Sequence, residues 1–420
     1  MAEQQVGPLA SERPAGLERF WAAPAWTQHP PHRSLLTPLN FLYRSMQVFP
    51  EQVAVVDGTE RIDYGTFAAH VFRLASALQR RGLAVGERVA VLAPNAREVL
   101  ETNFAVLQAG GVLVPLNIRL SAAEIAYILE HSGARFVVAE RGLGPLLAAA
   151  YTELAASPQV VWVELGPRHG EPSAPLPDGL PGIAYEVLLA EGSPEALPPL
   201  LDDEEAVLSI NYTSGTTGRP KGVMVTHRGA YLNALGELIE TGFRLGDRYL
   251  WTLPMYHCNG WNFPWAVTAL AGAHICLPRV EPARIYQLIE QEDVTHLCAA
   301  PTVLVMLAQG RPRPDYRFPH PVTIATGGAP PPPAIIAAIE SMGARIVHLY
   351  GLTETYGPHT VCAWKPGWDA LAAEERARLK ARQGVGYVHA PELRVVDSEL
   401  RDVPADGVTL GEVVMRGNKM

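Results

Sequence analysis

A chain of 420 residues exceeds what one ordinary hydrophobic core organises and suits two or three packed units; 48% hydrophobic against 18% charged residues is the balance of a folded globule. A formal net charge of -9 offers no footprint for a phosphate backbone, which sets nucleic acid aside as a partner. No basic segment followed by an apolar run opens the chain and no stretch approaches the roughly 20 apolar residues of a membrane span, while Cys258, Cys276, Cys298 and Cys362 lie too far apart for a CxxC zinc site or a disulfide framework, so a reducing cytoplasm is the expected location.

The opening 35 residues carry five prolines and no periodicity, and read as an irregular arm. Strand and helix signals then alternate. Residues 88–92 (RVAVL) form a short apolar run closed by Pro94-Asn95, and a helical pattern follows over 97–108. Residues 111–116 and 135–139 repeat the strand signal around a helical 122–131, and 159–164 is another β-rich run. Residues 165–205 break this rhythm and read as a connection.

The alternation resumes with a strand at 206–212 and a helix at 228–239. Further strands are expected at 249–253, 274–277, 294–299, 322–325 and 345–349, with helices around Trp265, Ile285 and 333–341. Two closing strands, 392–397 and 411–416, have no helix between them. The expected class is α/β, with two packed, mostly parallel α/β subdomains over roughly 36–200 and 206–385 and a small β element over 386–420.

The richest segment for chemistry is Thr213-Ser214-Gly215-Thr216-Thr217-Gly218-Arg219-Pro220-Lys221-Gly222. It follows a strand and precedes a helix, and it packs three glycines, three threonines, a serine and one lysine into ten residues. Glycines let backbone N–H groups turn inward around an anion, while hydroxyls and an ammonium donate to phosphate oxygens. A Walker A loop is excluded because the chain contains no Gly-Lys pair, and no GxGxxG follows a strand. Neither a GxSxG elbow nor an HExxH motif is present.

This segment, read through to His227, resembles the signature of the adenylate-forming (AMP-binding) superfamily: acyl-CoA synthetases, luciferases and the adenylation domains of peptide synthetases. Other stretches resemble that family's motifs in its order: Leu253-Pro254-Met255-Tyr256-His257, Ala325-Thr326-Gly327-Gly328-Ala329-Pro330, Tyr350-Gly351-Leu352-Thr353-Glu354-Thr355 and Gly411-Glu412-Val413-Val414-Met415-Arg416-Gly417. Together they cover roughly residues 35 to 420. The resemblance implies the large N-terminal lobe of such an enzyme. It also places the family's ribose-binding aspartate, hinge, catalytic lysine and small C-terminal lobe beyond Met420.

It further implies ATP and Mg²⁺ at the site, with CoA as acyl acceptor. Lys221 and the backbone of Thr213, Ser214, Gly215, Thr216, Thr217 and Gly218 would hold the outer phosphates, and Thr213 and Glu354 the metal, a hard cation that suits oxygen donors. Gly327, Gly328 and Ala329 would flank the adenine and Tyr350 would stack on it, with nucleotide contacts extending to His348, Leu349, Gly351 and Thr353. His348 replaces the amide or small residue common in the family. His257, Cys258, Gly328 and Trp261 would line the acid's route, with His257 orienting the carboxylate and Trp261 either walling the acyl tail or packing the core. Lys221, Glu354 and His257 are the residues expected to serve catalysis.

Residues 356–364, running into the charged 374–382, resemble synthetases for short- and medium-chain acids, including methylthioalkanoate-CoA ligases. No acidic residue in 254–265 or 325–330 is placed to grip an α-amine, so a plain carboxylic acid is the expected substrate. Two other readings stay open: a domain that loads a carrier protein, and a non-catalytic nucleotide- or acyl-binding module. Chain length of the acid and oligomeric state, a homodimer included, are also left open.

Overall fold

The computed structural model describes residues 34–195, 200–213, 218–390 and 392–420. The expected N-terminal arm lies almost wholly outside them, and its last described residues carry no helix or strand. Two large sheets dominate. One has seven strands among the described residues, in the order Ile183–Ala184, Gln159–Val163, Ala134–Glu140, Arg88–Leu92, Val112–Pro115, Val207–Thr213, Lys221–Thr226. All of its neighbours pair in parallel except the last two, which form an antiparallel hairpin.

The other has nine strands, in the order Val385–Gly386, Gly357–Val361, Ala344–Leu352, Val322–Thr326, His296–Ala299, Arg248–Leu250, Ala273–Cys276, Val53–Asp57, Glu60–Asp63. Its centre is parallel and both edges are antiparallel. Strands buried on both faces read as unbroken apolar runs, as in Val112–Pro115, because helices cover both sides of a parallel sheet. Glu392–Val396 and Glu412–Arg416 pair into a small separate ribbon.

The sheets cross the sequence division drawn at about residues 200–206. Val53–Asp57 and Glu60–Asp63 belong to the nine-stranded sheet, and Val207–Thr213 with Lys221–Thr226 to the seven-stranded one. The sequence reading begins its strands only at residue 88 and passes over this first pair, of which Glu60–Asp63 is largely polar. The helix Tyr64–Arg80, also unread, starts where the Asp63 carboxylate accepts from the Thr66 N–H at 2.7 Å. The 165–205 connection carries the edge strand Ile183–Ala184 and the helix Tyr185–Glu191.

The helix Arg97–Gln108 lies between the two sheets and every one of its residues is buried. Phe104 meets Trp265, on the helix Phe263–Ala269, edge to face at 4.8 Å, which joins both halves into one apolar core. Its first turn carries buried charge. Arg168 pairs with Glu98 and, at 3.0 Å, with Asp57 at the end of its strand; Asp57 also accepts the Arg97 N–H at 2.9 Å and contacts His169 Nε2 at 2.8 Å. Breaking such a buried set from one side costs about 3–5 kcal/mol, so it fixes how the helix meets the nine-stranded sheet.

Candidate active site

Four segments, distant in sequence, meet at the C-terminal ends of the parallel strands, where an open α/β sheet presents its loops. The first is the hairpin. Thr213 ends one strand and Lys221 opens the next, paired across the ladder. The sequence reading placed no strand between this loop and the helix expected at 228–239. The alternating Lys221–Thr226 instead folds back as a strand, and the helix His227–Thr241 begins only after it, capped by Thr226. Thr213 and Lys221 are therefore the facing ends of two antiparallel strands. Ser214, Gly215, Thr216 and Thr217 lie outside the described residues.

The second segment is the turn after Ala344–Leu352. Thr355 ties it: its hydroxyl accepts from the Leu352 N–H at 3.0 Å and lies 2.7 Å from the Gly357 carbonyl. The chain doubles back so tightly that a Cβ at Gly351 would sit 1.9 Å from the Gly357 oxygen, which makes glycine a steric necessity there. Glu354 projects from this turn, exposed. The third segment follows Val322–Thr326. A Cβ on Gly327 would meet the Leu349 carbonyl at 2.6 Å and the Trp261 ring at 2.9 Å, so the missing side chain is what lets Trp261 lie there.

The fourth segment, 254–262, has unusual backbone. Cys258, Asn259, Gly260, Trp261 and Asn262 follow one another with φ of 43, 39, 60, 51 and 66°, a left-handed turn of mostly non-glycine residues. Each non-glycine residue costs about 1–2 kcal/mol there. Side-chain amides offset it: Asn262 and Asn233 both donate to the Tyr356 carbonyl at 2.7 Å, and the Tyr356 hydroxyl donates to Asn259 Oδ1 at 3.0 Å. Asn95, from the seven-stranded half, accepts the Met255 N–H at 2.7 Å and donates to the carbonyls of Trp251 and Leu253.

These segments enclose a cleft of about 450 Å³ lined by Thr213, Lys221, His257, Cys258, Trp261, Gly328, Leu349, Gly351, Leu352, Thr353, Glu354, Gly357 and Pro358. Two larger surface hollows, bordered by Tyr151 and by Arg279, contain none of the expected site residues. His257 is exposed to the cleft, and the walls around its ring lower its pKa, favouring the neutral imidazole. Burial pushes the Cys258 thiol up to about 12, so it is a wall and no nucleophile. Trp261 is only 7% exposed; it packs in the core and its remaining surface faces the cleft.

Gly218, Gly327, Ala329, His348 and Tyr350 are not among the lining residues. His348 is not brought to the cleft. It is buried in Ala344–Leu352 with Nδ1 3.1 Å from the Lys380 carbonyl, and strand alternation turns it away from the face of Leu349. Tyr350 is half-buried. Sequence reasoning passed over Leu352, Gly357 and Pro358 as lining residues, and Asn95, Asn233 and Tyr356 as supports. Isolated asparagines and a tyrosine carry no local signal of what they brace.

Among known proteins, the AMP-binding enzyme family model matches residues 42–420. The chain is 44% identical to 4-hydroxybutyrate--CoA ligase 2 of Metallosphaera sedula over 387 residues, covering 92% of this chain and 70% of that protein. It is 41% identical to the acetate/butyrate--CoA ligase AAE7, peroxisomal, of Arabidopsis thaliana, over 93% of this chain and 70% of that one. Among solved structures, the N-terminal domain of FACL13 from Mycobacterium tuberculosis superposes with a TM-score of 0.75 at 25% identity, covering 91% of this chain and 90% of that domain.

Proposed function

The chain belongs to the AMP-binding enzyme family, as an acid:CoA ligase, and we propose that it activates a short- to medium-chain carboxylic acid as its acyl-adenylate and then transfers the acyl group to CoA. In the first step a carboxylate oxygen bonds to the α-phosphorus of ATP and the bond to pyrophosphate breaks. In the second the CoA sulfur bonds to the acyl carbon, AMP leaves, and the thiol proton passes to solvent. Two anions must meet in the first step, so the protein's task is neutralisation and positioning.

The observation that carries this reading is that Lys221, Thr213, Glu354 and His257, scattered along the sequence, line one cleft. Lys221 would hold the outer phosphates and keep the departing charge screened. The Thr213 hydroxyl and the exposed Glu354 carboxylate are hard oxygen donors on that cleft, and they fit Mg²⁺ shared with a nucleotide. When bound, the ion supplies Lewis-acid neutralisation of phosphate oxygens. Neutral His257 would donate a hydrogen bond to the acid's carboxylate, and Trp261 would bound its tail. The relatives named above support an acid of few carbons.

The test is pyrophosphate release and thioester formation with a panel of acids, with and without CoA. Release together with acyl-CoA is expected. Release with no transfer to CoA, but transfer to a phosphopantetheinylated carrier protein, would move the reading to carrier loading. No release with any acid, with nucleotide still bound, would leave a binding module.

A further inference from the structure

The strand ends that carry Thr213 and Lys221 are gripped from behind by side chains the proposed reaction does not use. Lys221–Thr226 is the outermost strand of its sheet among the described residues, and its one ladder partner is Val207–Thr213. Thr213 pairs with Lys221 and Tyr212 with Gly222. Successive residues of a strand point to opposite faces, so Thr213 and Lys221 share the face that lines the cleft and Tyr212 lies on the other.

That other face rests on the helix Ala122–Ser132, where Ile210 and Tyr212 pack against a cluster containing Ile125, Ile128 and Leu129. Both helix ends are fixed. The Ser121 hydroxyl accepts from the Glu124 N–H at 3.3 Å, the Glu124 carboxylate accepts from the Ser121 N–H at 2.8 Å, and Gly133 closes the last turn in the left-handed region. Tyr127 and His131, one turn apart with rings stacked at 5.3 Å, reach from this helix to both strands. His131 Nδ1 lies 2.7 Å from the hydroxyl of Tyr212, the residue directly before Thr213. The Tyr127 hydroxyl donates at 3.3 Å to the carbonyl of Pro220, the residue directly before Lys221. The Arg219 guanidinium carbon stands 5.5 Å from the centre of the Tyr127 ring. One helical turn thus holds the chain immediately before each of the two cleft donors.

A ladder on one side leaves an edge strand free to twist, and a group misplaced by about 1 Å loses much of its effect on a reaction. Resting on the ligase reading above, we propose that Tyr127 and His131 are positioning residues for the outer phosphates of the nucleotide: from behind, they set the twist and spacing of the two strand ends so that the Thr213 hydroxyl and the Lys221 ammonium meet phosphate oxygens together. Neither residue lines the cleft, so each acts through its neighbour in the clasp. His131 is exposed and its contact adds little to the core; what it fixes is the direction of the strand end.

The test uses the whole chain, with calorimetric titration of ATP-Mg²⁺ and KM values for ATP and for the acid from pyrophosphate release. His131→Leu and Tyr127→Leu should each weaken ATP binding by about fivefold or more, the result of a slightly misplaced donor, with the acid's KM within about twofold of the parent. His131→Gln restores a partner for the Tyr212 hydroxyl and should recover most of the ATP affinity. Tyr127→Phe keeps the ring and loses only the bond to Pro220, so it should fall between the parent and Tyr127→Leu. His131→Leu changes an exposed side chain and should melt like the parent, and it decides the matter if Tyr127→Leu is unstable. Unchanged ATP affinity in both leucine variants, or KM values for ATP and acid rising together, overturns the positioning role. So does a His131→Gln that binds ATP as weakly as His131→Leu. A parent that binds ATP but releases no pyrophosphate with any acid fails the ligase reading alone, because the calorimetric comparison of the variants still decides the clasp.

Discussion

Thr213 and Lys221 face each other as direct partners across an antiparallel hairpin, so one hydroxyl and one ammonium frame the loop between them. Lys221 is exposed, so removing its charge should cost folding little, while in the proposed reaction it would meet the nucleotide. Lys221→Ala should melt like the parent while losing about 3 kcal/mol of transition-state stabilisation, the scale of removing one preorganised donor from developing charge. Calorimetric titration with ATP-Mg²⁺ and a pyrophosphate-release assay on one preparation check this. Unchanged values in both would remove Lys221 from the site.

Trp261 is shared between core and cleft, so Trp261→Gly should register in two assays. Emptying a buried tryptophan site costs about 3–5 kcal/mol, seen as a lower Tm. The freed volume opens towards the cleft and should move acid preference to longer or bulkier chains. A stability loss with an unaltered acid profile would leave Trp261 a packing residue alone.

Gly351→Ala tests the doubled-back turn. Its new methyl would lie 1.9 Å from the Gly357 carbonyl oxygen, and backbone must move to admit it. Displacing the turn shifts Glu354 and Thr353 together, so nucleotide binding should weaken by tenfold or more at about 1–3 kcal/mol of lost stability. Normal ATP affinity in a folded Gly351→Ala would show that the turn's position is not critical.

Acid should loosen the join between the two sheets. Burial raises the Glu101 carboxyl, but the Arg97 charge, His70 and the Tyr185 hydroxyl outweigh it and bring it down to about 2. A carboxylate depressed in the folded state stabilises above its unfolded value and loses that contribution as pH falls through its folded value. The span from the ordinary 4.5 of a glutamate to about 2 corresponds to about 3 kcal/mol, lost between those limits. Chemical denaturation from pH 6 to pH 2.5 should show this slope, and Glu101→Gln should flatten it. An equal slope in parent and variant would place the acid sensitivity elsewhere.

Local periodicity made the central strands and helices legible. The helices Arg97–Gln108 and Pro333–Ser341 fall where the apolar spacing puts them, because each is decided by residues three or four apart. The strand Lys221–Thr226 went unread, although the helix after it falls where the sequence placed one. His348 was misplaced for a related reason: a motif gives neighbours in sequence, and a strand sends neighbours to opposite faces.

Composition and periodicity were enough by themselves to set the α/β class, and motif resemblance to set the family, since each depends on residue types within short windows. What only the tertiary structure decided is which segments touch. Val53–Asp57 crosses to the far sheet, Asn95 pins the strand end beyond Trp251, and Lys419 comes to rest under Cys258 and Pro358. Those contacts join residues far apart in the chain, and they are selected by the packing of the whole core and the pairing of buried charge. No local pattern encodes either.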